Sequence, residues 1–178
     1  MRKNLSNKQI EKYSRQIVLK NVGTIGQKKI LDSNVLVVGA GGLGCPVIDY
    51  LSRAGVGRLG IIDYDKIDPS NIHRQSIYTF KDVGKYKVDV LKRKIMDINP
   101  DVKTKIFKNK ITNKNVDKIL RQFDIIIDGS DNFKTKFLLN KFARKLKKTL
   151  IVGAISKYNG HVFSFNFKRK NEACLKCF

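Results

Sequence analysis

The sequence predicts a doubly wound α/β domain on a mostly parallel, Rossmann-like sheet, and three observations carry that prediction. Two compact β-branched runs, Asn34-Val35-Leu36-Val37-Val38 and Asp124-Ile125-Ile126-Ile127-Asp128, read as strands buried on both faces. Stretches of helical period separate these runs from each other and from further short strands. The first run ends in Gly39-Ala40-Gly41-Gly42-Leu43-Gly44, a G-x-G-x-x-G loop that opens a helix.

Each element follows from local pattern. Ser6 and Gln9 form a capping box, and Ile10, Tyr13 and Ile17 follow at helical spacing, so an amphipathic helix opens the chain. After the first strand, residues 43–54 form a helix with Val47, Ile48 and Leu51 inward and Pro46 in its first turn. Gly55-Val56-Gly57 stops it, and residues 59–63 make the second strand. Residues 64–83 are polar and irregular, a loop of about 20 residues, which is long enough inside a compact domain to suggest function. Residues 85–98 are a helix striped by Val88, Leu91, Ile95 and Ile98 and closed by Asn99-Pro100. Residues 103–108 alternate as a strand, and Val116, Ile119, Leu120 and Phe123 mark a short helix. The Ile-rich strand is followed by a helix over 135–146 and a strand over 149–152. Residues 162–167 put Phe163, Phe165 and Phe167 on one face of a late, half-exposed antiparallel strand.

Composition narrows the function classes. A chain of 178 residues buries enough surface for one core without disulfides or a structural metal. No apolar run is long enough to span a bilayer, and the N-terminus lacks the apolar segment of a signal peptide. Three cysteines, Cys45, Cys174 and Cys177, suit a reducing compartment, and the expected location is the cytoplasm. Cys45, in the first turn of a buried helix, reads as a small core residue. The charge is the anomaly: 37 Lys+Arg against 15 Asp+Glu give +22. That balance invites a nucleic-acid or membrane-surface reading. Yet 28 of the cations are Lys, beside 20 Ile and 14 Asn, all residues with A/T-rich codons. The lysines are also scattered without interleaved aromatics, so neither nucleic acid nor membrane is expected as a partner.

The glycine loop carries the chemistry. Gly39 makes the tight turn, Gly41 and Gly42 let the backbone approach a phosphate, and Gly44 allows close helix–strand packing. Asp63 lies 24 residues after Gly39 at the end of the second strand, where a carboxylate can accept ribose hydroxyls. Together they point to a nucleotide, but NAD and ATP both present a ribose and phosphates. An NAD-dependent oxidoreductase therefore stays open at this stage.

Six motifs occur in one order: Tyr13-Ser14-Arg15-Gln16, the glycine loop, Asp63-Tyr64-Asp65, Ser70-Asn71-Ile72-His73-Arg74-Gln75, Gly84-Lys85-Tyr86-Lys87, and Asp128-Gly129-Ser130-Asp131-Asn132. In these the sequence resembles the ubiquitin-activating-enzyme-like superfamily, in the branch that adenylates sulfur-carrier proteins (the MoeB, ThiF and HesA group). The resemblance implies ATP and Mg²⁺ as cofactors and a small ubiquitin-like sulfur carrier as partner, whose C-terminal glycine is adenylated for molybdopterin or thiamin synthesis. It implies Asp63 on the ribose, Asn71, Arg74 and Lys87 on the phosphates, and Asp131 on magnesium. Ser70, Asp65 and Asn132 join the nucleotide-binding set. Arg15 is implied to reach a neighbouring protomer's site in a homodimer. These residue types suit the chemistry, because attack of a carboxylate on the α-phosphate needs charge neutralisation and a restrained leaving group. Singly, Asp131 would be read as the cap of the next helix, and each cation as a solvated charge. His73 and His161 are given no catalytic role.

Cys174-Leu175-Lys176-Cys177 is a C-x-x-C pair. In the family such a pair supplies half of a structural zinc site, so Zn²⁺ is expected only if a second pair is supplied. Residues 1–178 are thus expected to be one adenylation domain cut short at its C-terminus. An inactive, nucleotide-binding-only fragment is the alternative.

Overall fold

The computed structural model describes residues 4–178. Its strands are β1 (Asn34–Val38), β2 (Arg58–Ile62), β3 (Lys103–Phe107), β4 (Ile125–Asp128), β5 (Thr149–Ser156) and β6 (Asn159–Asn166). They form one sheet in the order β3-β2-β1-β4-β5-β6. All neighbours are parallel except β5 and β6, which make an antiparallel hairpin. The chain thus winds outward from β1 twice, once to β3 and once to β5. The reversal falls between β1 and β4, and the carboxyl ends of these two strands open the crevice in which such sheets bind ligands.

Helices cover both faces. Before the sheet come α1 (Asn7–Lys12), α2 (Ser14–Ile17) and α3 (Gly23–Asp32); between strands lie α4 (Gly44–Ala54), α5 (Lys87–Ile98), α6 (Val116–Leu120) and α7 (Phe133–Lys145). Side chains alternate across a strand, so β1 serves two cores. Val35 and Val37 join Ile48, Leu59, Ile61, Leu91 and Ile95 under α4 and α5. Leu36 and Val38 join Leu120, Phe123, Ile126, Leu139 and Leu150 under α6 and α7. Burial on both faces is why the strand reads as an unbroken apolar run.

The doubly wound class holds, and the departures are local. The opening helix is two pieces joined at Tyr13, and Ile10, expected inward, is exposed. The capping box of Ser6 and Gln9 is present. Helix α3 has no counterpart among the predicted elements. Its polar Gln27 is buried by donating to the Ala54 carbonyl at 3.0 Å, a tertiary contact that apolar periodicity cannot announce. The late hairpin is longer than expected, because its strands continue pairing to Ser156–Asn159 beyond the apolar residues. On β6 and at the residue just past it, the rings of Phe163, Phe165 and Phe167 stack at 6.2 and 5.8 Å, with Phe165 and Phe167 buried.

The irregular stretch before α5 is tied down rather than loose. Asp82 is buried and accepts from the Thr79 amide and hydroxyl, and Arg93 Nη2 on α5 bonds it at 2.8 Å. Burial alone would raise this carboxyl, but Thr79 and Arg93 outweigh it and hold it below the usual carboxylate range.

Candidate nucleotide site at the carboxyl edge of the sheet

The glycine loop turns directly off β1. Gly39 has φ of +90°, and a Cβ there would stand 3.0 Å from the Gly129 carbonyl. A Cβ on Gly44 would stand 1.9 Å from the Gly39 carbonyl oxygen, so α4 can start this close to β1 only with glycine. Gly41 and Gly42 meet nothing nearer than the side chains of Gln75 and Arg74, at 3.9 and 3.8 Å, which leaves their backbone approachable.

The peptide of Ala40 is held on both sides. Its amide donates to Asp63 Oδ2 at 2.7 Å. Its carbonyl accepts from the Tyr78 hydroxyl at 3.0 Å and the Cys45 thiol at 3.3 Å. Burial pushes the Cys45 thiol up to about 11 and raises the Tyr78 phenol as well, so both stay protonated as donors. Cys45 is the small core residue expected of it.

Asp63 does structural work in addition to the ribose role expected of it. Its Oδ1 accepts from the Asp65 amide at 2.7 Å, so each oxygen already carries one bond. A carboxylate has about four acceptor positions, which leaves capacity for ribose hydroxyls. Asp65 in turn meets Lys87, the first residue of α5: the Lys87 amide donates to the Asp65 carbonyl at 3.0 Å and Nζ lies 3.2 Å from Oδ2. Lys87 is buried, which it shares with one other lysine among the described residues, Lys136.

Arg74 is placed by a short 3-10 turn over Pro69–Asn71. Asp68 starts that turn by accepting from the Ser70 amide and hydroxyl, bonds that hold its carboxyl below the usual range. Arg74 Nη1 then donates to the Ser70 carbonyl at 2.9 Å and lies 3.1 Å from His73 Nε2. Its alkyl chain passes over Gly42, while the Asn71 side-chain amide donates to the Ser70 hydroxyl at 3.4 Å. His161 is exposed beside Phe163 on β6.

The loop after β4 packs on the glycine loop, Gly129 against Gly39 and Gly44. Asp131 follows, exposed, with the Asn132 amide group 3.4 Å from Oδ1. The cap of α7 is Asn132, which accepts from the Thr135 amide at 2.9 Å, so the capping role open to Asp131 falls to its neighbour. Arg15 is not brought here. Tyr13 accepts from Asn99 Nδ2 just past the C-terminal end of α5, whereas Lys87 stands at its start. Those 12 helical residues span about 18 Å, more than an extended arginine side chain covers.

The structure gives places to residues that the sequence left without a role. Tyr78 and the buried Gln75 floor the glycine loop. Asp128 is fully buried and accepts from the Ser130 hydroxyl and amide at 2.6 and 2.9 Å. Lys136, also buried, reaches Asp128 Oδ2 at 3.4 Å and the Gly153 carbonyl at 2.7 Å. Burial raises the Asp128 carboxyl against the pull of Lys136 and Ser130. In sequence Lys136 was one lysine among 28 and carried no signal.

At the far end of the chain, Cys174 and Cys177 place their sulfurs 3.8 Å apart. Burial works against ionisation of Cys174, but Asn140, the Lys176 amide, Cys177 and Arg144 outweigh it and lower the thiol. Among the described residues no cluster of three or more His, Cys, Asp or Glu gathers at one point, so the two thiols stand as a pair.

The chain resembles known proteins in sequence and in fold. The chain is 42% identical over 161 residues to a sulfur carrier protein adenylyltransferase of Thermus thermophilus, covering 90% of this chain and 59% of that protein. It is 41% identical over 157 residues to a probable molybdopterin-synthase adenylyltransferase of Porphyra purpurea, covering 88% of this chain and 41% of that one. The chain therefore spans about three fifths or less of the length of these relatives. Among solved structures, an E. coli tRNA N6-threonylcarbamoyladenosine dehydratase in complex with ATP superposes with a TM-score of 0.78 at 26% identity, covering 83% of this chain and 60% of that one. The ThiF family matches residues 13–178, from the Tyr13 joint to the cysteine pair, and the chain belongs to that family.

Proposed function

We propose that this chain is the nucleotide-binding part of an adenylyltransferase that activates the C-terminal glycine of a small ubiquitin-like sulfur carrier with ATP. The observation that carries this reading is that Arg74, the Asp131 loop and, through Asp65 and Asp63, Lys87 converge on one glycine loop. An NAD site would need the loop and Asp63 but would leave those charged groups without a task.

The reaction uses charge and position rather than proton transfer. The carrier's terminal carboxylate attacks the ATP α-phosphorus, the bond to the β-phosphate oxygen breaks, and acyl-adenylate and pyrophosphate result. Asp63 and Asp65 take the ribose side of the nucleotide, and Ser70, Asn71 and Asn132 line its phosphate side. The Arg74 guanidinium offers a two-pronged grip on phosphate oxygens, and the Lys87 ammonium has donors beyond the one facing Asp65. Asp131 is an exposed carboxylate at the carboxyl edge, a donor of the hard, single-oxygen kind that Mg²⁺ takes beside phosphates. Bound there, the metal would neutralise charge on the departing pyrophosphate.

A homodimer with Arg15 acting in trans fits the position of that residue, which lies beyond reach of its own crevice. Zinc fits the cysteine pair, because two thiolates at ~2.3 Å from a tetrahedral zinc stand about 3.8 Å apart. Cys174 and Cys177 would supply two of its four ligands. The cytoplasm suits free thiols, and no helix among the described residues is long and apolar enough to cross a membrane. The carrier, from molybdopterin or thiamin synthesis, is the macromolecular partner in this reading, rather than nucleic acid or a membrane.

Carrier-dependent ATP–pyrophosphate exchange tests the proposal, run with a panel of ubiquitin-like sulfur carriers. We expect exchange with at least one carrier and its loss in Asp131→Ala. Unchanged exchange in that variant would remove the metal role of Asp131, and absence of exchange with every carrier would leave nucleotide binding alone.

A further inference from the structure

Lys136 is a buried cation that the reaction above does not use. It sits one turn into α7, and its ammonium reaches back to two strands, to Asp128 on β4 and to the Gly153 carbonyl on β5. Asp128 spends its other oxygen on the Ser130 amide and hydroxyl. The pair Asp128–Lys136 therefore closes a bracket around the segment that carries Asp131. That segment rests on the glycine loop with little clearance, since a Cβ on Gly129 would meet the Gly44 amide at 3.2 Å.

A buried ion pair repays little stability compared with apolar side chains of the same volume, whereas losing one partner leaves an uncompensated charge. Its use here lies in geometry. We propose that Lys136 is a positioning residue for the Asp131 loop: by pinning Asp128 and the Gly153 carbonyl it fixes residues 129–132 against the glycine loop, where Asp131 meets the nucleotide's metal. The last clause rests on the metal role of Asp131 proposed above; the fixing of the loop does not.

Amide hydrogen exchange on the free protein tests the fixing directly. In Lys136→Met the amides of residues 129–132 should exchange at least about tenfold faster, with those of β1 unchanged, and Lys136→Arg should restore most of the protection. The double variant Asp128→Asn/Lys136→Met leaves no orphan charge, keeps the fold, and should show the same local loosening. Wild-type protection of residues 129–132 in the double variant, or loss of protection spread evenly over the sheet, would overturn the proposal.

Binding of ATP with and without Mg²⁺, by calorimetry, carries it to the site. Lys136→Met should lose about tenfold or more of the affinity that Mg²⁺ adds, while metal-free ATP binds within about twofold of wild type. Adding the substitution to Asp131→Ala should change nothing further. An unchanged Mg²⁺ increment in Lys136→Met, where Asp131→Ala abolishes it, would overturn the positioning role. Retention of the increment in Asp131→Ala would instead sink the metal reading of Asp131, and hydrogen exchange alone would then decide the role of Lys136.

Discussion

The two ends of α5 are built on opposite terms. At its C-terminal end the buried Asn99 is fully engaged: its Nδ2 donates to the Tyr13 hydroxyl and the Ser52 carbonyl at 3.0 and 2.8 Å, and Lys12 pairs with Asp101 at 3.2 Å. Its N-terminal end, at Lys87, faces the crevice of Arg74, Asn71 and Asp131, whose side-chain hydrogen bonds go to neighbours one to four residues away, with Arg74 and Asp131 exposed and Asn71 half-buried. One end joins α1 and α2 to the sheet; the other leaves charge unspent. A structural polar group is satisfied at folding, whereas a binding group waits for its ligand, and that difference separates the two kinds more sharply than residue type does.

Substitutions can break that contrast, and the largest effect is expected where backbone is in the way. Gly44→Ala puts a methyl group into the Gly39 carbonyl. It should cost about 4 kcal/mol or more, much of what a domain has, in a urea titration. A midpoint near wild type would mean that the loop yields.

Arg74→Ala should do the reverse, lowering exchange turnover about 10²–10³-fold while thermal unfolding shifts by no more than about 0.5 kcal/mol. Equal losses of stability and turnover would place Arg74 among the structural groups.

Asp82 tests the contrast through pH. Its folded carboxyl is depressed below the ordinary 3.8, so its contribution is complete above that value and lost as pH falls through the folded one. Asp82→Asn should cost about 1–3 kcal/mol at neutral pH, and its stability curve should lack that acid limb when followed by circular dichroism. An acid limb as steep as wild type would clear Asp82 of the role.

Smallest is Tyr13→Phe, which removes one buried acceptor and should cost about 1 kcal/mol with ATP affinity unchanged. A tenfold loss of affinity would mean that the two ends communicate along α5.

Much of this was legible in the sequence because it rests on local chemistry. Unbroken apolar runs marked β1 and β4, since strands covered on both faces have no polar side to show. Glycines marked the loop because no other residue fits at positions 39 and 44. What stayed hidden depends on long-range partners. Lys136 becomes a buried cation only when β4 and β5 lie side by side, and helix α3 is held by Gln27 reaching the end of α4. The cap of α7 needed backbone geometry to choose Asn132 over Asp131.

The hairpin that ends the sheet has a consequence for handling the protein. Among the described residues β6 pairs with β5 alone, so no strand lies along its other edge, with Val162 exposed on the strand and Tyr158 in the turn. Such an edge is a template for another chain. Lys157 lies before the strand and Lys168, Arg169 and Lys170 after it, all exposed. Like charges at both ends repel a second copy sliding into register, so these four cations oppose self-association along the edge, and high salt, which screens them, is the condition under which the chain would be hardest to keep dispersed.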